Sequence, residues 1–389
     1  MEWAGGRPPA LGKGVAVTAG AAWLARLRAL DLPARVRIMN VCGGHERAIA
    51  QAGLRTVLPP TIELIPGPGC PVCVCPEEAI YHAIHLALDE GVVLVAFGDM
   101  LRVPVNVAKG EARSLEEARG LGGDVRPIAS PAEARTIARA EPARTVVFFA
   151  AGFETTTAPV AALVAEGLPD NLLLLTACRR TWPAVALLLE SGEAGFDGLV
   201  APGHVATVMG PEEWSFIADR FRIPVAVAGF TADSLLAAFD SVVRQHLAGQ
   251  PHLTNCYPRV VRPGGNRAAQ RLLAETFDVV DAPWRGIGTL PASGYRLKAR
   301  YAGHDAALRF PGVTEEARAR AGEMPAGCGC ASVVLGRLYP TGCALYGQPC
   351  TPRTPVGPCM VSDEGACRIW WASGNRGGER VAKASSRSD

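Results

Sequence analysis

Three apolar runs of strand length each stop at a glycine-containing loop, and this repetition limits the chain to few folds. Residues 36–41 run directly into Cys42-Gly-Gly-His45, and residues 61–65 into Gly67-Pro-Gly-Cys70-Pro-Val-Cys73-Val-Cys75-Pro76. Residues 92–97 end in Gly98-Asp99. Helical segments are expected over 46–52 and 76–89. In the second of these, Pro76-Glu77-Glu78 supplies proline and acids to a first turn, and Ile80, Ile84 and Leu88 recur at helical spacing. The alternation predicts a parallel sheet with helices on its faces. Sheets of this kind place their sites at the carboxyl ends of strands, where Cys42 and Cys70 both stand.

The pattern restarts after about residue 124. A strand over 145–150 leads through Gly152-Phe-Glu154-Thr-Thr-Thr157 into a helix over 158–166. Further strands are expected at 172–176, 199–200 and 224–227, with Pro202-Gly203-His204 after one of them. Leu235, Leu236, Phe239, Val242 and Val243 share one face of a helix over 232–247. From about residue 251 the chain is richer in glycine, aromatics and cysteine, which predicts less regular structure. A chain of 389 residues exceeds one comfortable core. The fold class expected is therefore α/β: two similar α/β domains with parallel sheets plus a smaller, cysteine-rich C-terminal region. The boundaries expected are a tail and short helix over 1–30, domains over 31–124 and 125–249, and the C-terminal region over 250–389. Within the first segment, residues 21–30 read as helix before Pro33, and the first dozen residues as a loose tail.

A formal charge of +2 leaves no footprint for nucleic acid. No apolar run reaches membrane-span length, and the N-terminus lacks the order of a signal peptide. A cytoplasmic location follows as the expectation. Twelve cysteines in a reducing compartment point to metal binding or redox work rather than a disulfide framework.

Cys70-Pro-Val-Cys73 can be a dithiol/disulfide couple or half of a zinc site. Cys42 and His45 stand at i and i+3, and thiolate with imidazole suits zinc or iron. Taken alone, that pair is weak, and a capped core histidine explains it better; it gains weight because, like Cys70, it stands at the carboxyl end of a strand. Cys328, Cys343, Cys350 and Cys367 gather four thiols in a Gly/Pro-rich tail, with Cys330 and Cys359 as extras. Such a set suits a four-iron cluster, with a structural zinc as the alternative. Glu154 is a candidate acid/base, although helix capping explains its loop equally well. His204 reads as a turn residue, and His82 and His85 as the flanks of an apolar stripe.

These stretches resemble the HypD family of hydrogenase-maturation proteins, in order and over nearly the whole chain. The match includes Cys42-Gly-Gly-His45-Glu46, Gly67-Pro-Gly-Cys-Pro-Val-Cys73, Gly152-Phe-Glu-Thr-Thr156 and Pro202-Gly-His-Val205. It continues through Trp284-Arg-Gly-Ile-Gly288, Pro291-Ala-Ser-Gly294 and Cys359-Met-Val-Ser-Asp-Glu-Gly-Ala-Cys367. The resemblance implies three domains, two of them α/β, and a [4Fe–4S] cluster on Cys328, Cys343, Cys350 and Cys367. It implies a scaffold rather than a turnover enzyme, one that works with a HypC-type chaperone and a HypE-type cyanide donor. On it the Fe(CN)₂CO unit of [NiFe]-hydrogenase is assembled, bound transiently. Cys42 would ligate the iron with His45 beside it, and Cys70 and Cys73 would link that site to the cluster. A thiol–disulfide oxidoreductase and a zinc-stabilised binding module are the alternatives. Cys75, Cys178, Ala201 and Thr231 depart from the family's pattern.

Overall fold

The computed structural model describes residues 19–32, 34–192, 194–319 and 324–376. The expected N-terminal tail and Pro33 lie outside them. Its strands are β1 (Val36–Asn40), β2 (Ile62–Pro66), β3 (Val93–Phe97), β4 (Val125–Ile128), β5 (Val146–Gly152) and β6 (Leu172–Cys178). They continue as β7 (Gly198–Pro202), β8 (Val225–Ala228), β9 (Leu253–Asn255), β10 (Phe277–Trp284) and β11 (Gly288–Leu297).

Two parallel sheets result, as the alternation predicts. The first is five-stranded in the order β2-β1-β7-β8-β9, and the second is four-stranded in the order β4-β3-β5-β6. Their boundaries differ from the division at residue 124. β3 and β4 belong with β5 in the second sheet, and the chain then returns to the first through β7, β8 and β9. The second sheet is thus inserted between the halves of the first. Local alternation cannot reveal this, because it reports strand and helix but not which sheet a strand enters.

Each sheet is buried on both faces. Ile38, Leu64, Val200 and Ala226 meet Leu235, Phe239, Val242 and Val243 of the helix Ala232–Ala248. On the opposite face, Met39, Ile65, Leu199 and Val225 pack with Leu188, Trp214 and Ile217. In the second sheet, Val147 and Phe149 face one core while Val146 and Phe148 face the other. The first of those two cores is continuous with Cys70, Cys73, Cys330, Cys350, Cys359 and Cys367. Burial of both faces explains why these strands read as unbroken apolar runs.

The region after residue 251 is more regular than its composition predicts. β9 extends the first sheet, and β10 and β11 form an antiparallel hairpin with a register shift between Val280 and Ala282. The cysteine-rich part that follows is built of short helices, among them Cys330–Val334 and Ala366–Ala372. No helix among the described residues is long and apolar enough to cross a membrane.

Candidate thiol site

In the first sheet the strand order reverses between β1 and β7, since β1 leads outward to β2 while β7 leads the other way to β8. Crevices at such switch points hold the ligands of open α/β sheets. Cys42 follows β1 there, and Gly203-His204 follows β7. The helix after β1 begins at once, spanning Gly43–Gln51 with Cys42 as its N-cap. The two glycines are therefore its first turn rather than a separate loop. Gly69 lies so close that a Cβ on it would sit 2.3 Å from Cys42 Cα, and the Gly43 N–H donates to Gly69 O at 3.2 Å. Backbone contact alone fixes Cys42 against the CxxC loop.

The CxxC is a one-turn helix, Pro71–Val74, with Cys70 as N-cap. Cys70 and Cys73 form a disulfide, and the Cys73 N–H donates to Cys70 Sγ at 3.2 Å. Cys42, Cys70 and Cys73 line one small cavity together with Asn40, Cys359 and Glu364, of about 10 Å³. That is the space of a single water.

Burial pushes the Cys42 thiol up to about 12, and the Glu364 carboxylate adds to this; the His45 and Gly44 amides oppose it. Burial holds His45 neutral, down at about 4. His45 pairs its Nε2 with Ala228 O at 3.0 Å, so that nitrogen carries the proton, and Nδ1 has no partner among the described residues. Its ring lies 4.8 Å from Phe230, on which His204 stacks at 3.8 Å. His204 therefore stands behind His45 through Phe230, in the first turn of the helix Gly203–Met209.

The tail closes this site from the other side. Glu46 accepts from Trp370 Nε1 at 2.7 Å and from Arg55 Nη2 at 2.8 Å, which ties the helix Ala366–Ala372 to the helix carrying His45. Ser362 Oγ donates to Asp99 Oδ2 at 2.9 Å, joining the tail to the end of β3. Cys359 reaches the cavity through this docking.

Cys328 is in side-chain contact with Cys330 and Cys343, and Cys359 with Cys330 and Cys367; Cys350 packs in the same cluster. The four thiols implied for a cluster thus come together with the two extras. Gly329 N–H donates to Cys343 Sγ at 3.2 Å and Val356 N–H to Cys350 Sγ at 3.4 Å. Thiolates bonded in this way, in an apolar pocket, fit an iron–sulfur cluster. No three His, Cys, Asp or Glu side chains among the described residues converge as ligands of one ion.

Cys330 and Cys359 are the functional candidates that spacing left without a role. Burial pushes the Cys330 thiol up, but hydrogen bonds from Cys328 and Cys359 outweigh it and bring it down to about 6. The Cys359 N–H also donates to Cys330 Sγ, at 3.2 Å. Of this pair, Cys359 lines the cavity and Cys330 contacts both Cys359 and Cys328. The one signal in the sequence was an excess of two cysteines over the four a cluster needs.

Glu154 is placed elsewhere. Its oxygens accept from the Thr181 N–H at 2.8 Å and from Thr181 Oγ1 at 2.6 Å, and it does not line the Cys42 cavity. Cys75 is buried beside the guanidiniums of Arg179 and Arg285 and does not line that cavity either. His82 is buried with its Nε2 3.3 Å from Thr314 Oγ1, and His85 pairs with Asp89 at 2.6 Å.

Fold and site together define a two-sheet α/β protein with a line of thiols leading from its tail to a switch-point cysteine. Residues 20–374 match the family model HypD, described as the hydrogenase formation hypA family. The chain is 39% identical over 381 residues to a hydrogenase maturation factor HypD of Rhodobacter capsulatus, covering 97% of this chain and 98% of that one. It is 41% identical to the HypD of Rhizobium leguminosarum bv. viciae, covering 93% and 94% of the two chains. Identity to the Escherichia coli K12 HypD is 39%, covering 86% and 88%. The chain belongs to the HypD family of hydrogenase maturation factors.

Proposed function

We propose that this chain serves hydrogenase maturation as the scaffold on which iron receives its cyanide and CO ligands. The iron is cargo, held by Cys42 with His45 beside it, in complex with a HypC-type chaperone and supplied with cyanide by a HypE-type donor. The observation that carries this reading is the shared cavity: Cys42, the Cys70–Cys73 disulfide and Cys359 line one space. A stand-alone oxidoreductase would need the disulfide but not Cys42 or the tail thiols.

Soft thiolate donors suit low-spin ferrous iron, and metal binding takes the proton from a thiol that is otherwise held protonated. Cys42 is such a thiol, so iron capture there releases a proton. The neutral His45 adds no positive charge against the incoming cation. A [4Fe–4S] cluster on Cys328, Cys343, Cys350 and Cys367 would supply electrons when bound. Cys359 lines the cavity of Cys70–Cys73, and Cys330 contacts both Cys359 and Cys328. Reopening the disulfide takes two electrons and two protons, leaving two thiols next to Cys42.

Infrared spectroscopy of the chain co-purified with its chaperone tests the reading. Cys42→Ala should remove the cyanide and CO bands while the iron–sulfur charge-transfer absorption remains. Bands that persist in Cys42→Ala would overturn the ligand assignment, and stoichiometric zinc without iron would overturn the cluster.

A further inference from the structure

Asn40 is the last residue of β1, two positions before Cys42, and is 1% exposed. It lines the same cavity as Cys70 and Cys73. Its Nδ2 faces Ile65 O at 3.4 Å, and this carbonyl fixes the amide's orientation, since the reverse would set two oxygens together. Oδ1 is then a buried acceptor with no partner among the described residues. A buried acceptor that no protein donor meets is unfavourable, and its presence points to a donor that another state of the site supplies.

The disulfide form of Cys70 and Cys73 has no hydrogen to give. The dithiol form has two S–H donors in the same cavity. We infer that Asn40 is a positioning residue for the redox couple, its Oδ1 accepting an S–H hydrogen bond that exists only after the disulfide opens. The half-reaction is the disulfide plus two electrons and two protons giving Cys70-SH and Cys73-SH, with a small dithiol as reductant. A bond made only in the product favours reduction, so Asn40 makes the pair easier to open. The inference rests on reading Cys70–Cys73 as a working couple and names the group that tunes it.

The test is an anaerobic redox titration of the full chain in mixtures of reduced and oxidised dithiothreitol. Acid quenching, alkylation and mass spectrometry then count modified thiols on the peptide carrying Cys70 and Cys73. Asn40→Leu should lower the equilibrium constant for reduction about tenfold, which is about 30 mV more negative for a two-electron couple. Asn40→Asp keeps an acceptor at the same place and should not move in that direction. Asn40→Ala replaces the leucine variant if leucine does not fold. A leucine or alanine midpoint equal to the wild type, or less negative than it, would overturn the inference. So would an equal fall in the aspartate variant, because packing alone would then account for it. If the wild-type pair does not cycle at all, the couple itself is refuted, a result distinct from failure of Asn40's role.

Discussion

The two sheets have the same design, yet the polar groups at their carboxyl ends are partnered differently. In the first, the strand ends are crowded backbone to backbone, and the polar groups there are held in unusual states: a protonated thiol at Cys42, a neutral His45, a bare acceptor on Asn40. In the second, β5 leads into Glu154, whose carboxyl is also pushed up by burial, but both of its oxygens are met by Thr181, which opposes the shift. The fold supplies two equivalent crevices, and side chains decide which one has unfilled chemistry. A polar group fully satisfied by its own chain is structure, whereas one buried and unsatisfied is a candidate for work.

Two glycines break this comparison most sharply. A Cβ on Gly69 would lie 2.3 Å from Cys42 Cα and 2.4 Å from Cys42 N, and backbone cannot yield as a flexible side chain can. Gly98, after β3 in the second sheet, has nothing within 4 Å of the same added atom. Gly69→Ala is expected to cost about 4 kcal/mol or more in denaturant unfolding, and Gly98→Ala to stay within about 0.5 kcal/mol. Equal effects would mean that the two strand ends are not differently built.

Much of this was legible from residues alone. Strands with both faces buried are continuous apolar runs, so β1, β2, β3, β5 and β6 stood out, and the loops after them located Cys42 and Cys70. The helix Ala232–Ala248 was legible from its apolar face and agrees with the prediction to one residue at its end. What local pattern does not contain is pairing. Whether β3 joins β2 or β5 depends on which helices can cover it, a tertiary fact, and the insertion of one sheet within the other was hidden for that reason. Short β4, only Val125–Ile128 and interrupted by Pro127, gave too little pattern to be seen. Cys330 and Cys359 escaped because their role depends on the tail folding back to the cavity.

Glu154 sharpens the comparison at the second sheet. If it serves only to hold Thr181, Glu154→Ala should cost about 2–3 kcal/mol, by leaving a buried N–H without an acceptor. Glu154→Gln should cost far less, since its amide oxygen accepts from the Thr181 N–H and its amide nitrogen donates to Oγ1. Thermal unfolding measures both, and the glutamine variant should still support the infrared bands of the iron complex. Loss of those bands in a stable Glu154→Gln protein would return Glu154 to acid/base chemistry.

The smallest effect lies at the amino ends of the second sheet, far from any thiol of the site. Asp124, just before β4, accepts from Arg126 Nε and Nη2, each at 2.7 Å, and from Arg144 Nη1 at 2.6 Å. The hydrogen bonds from Arg126 are the main cause holding its carboxyl down at about 2, against a small desolvation penalty and with Arg144 adding to the pull. A carboxylate depressed on folding stabilises the protein above its unfolded value of about 3.9, and that contribution is lost as pH falls toward about 2. The Asp124 side chain is 30% exposed, and solvent screens the pair, so the contribution at neutral pH is below about 1 kcal/mol. Wild type and Asp124→Asn compared by urea unfolding should therefore differ by less than that at pH 7, with the gap narrowing between pH 5 and pH 3. A gap that stays constant over this window would show that the Arg126–Asp124 contact contributes through packing rather than charge.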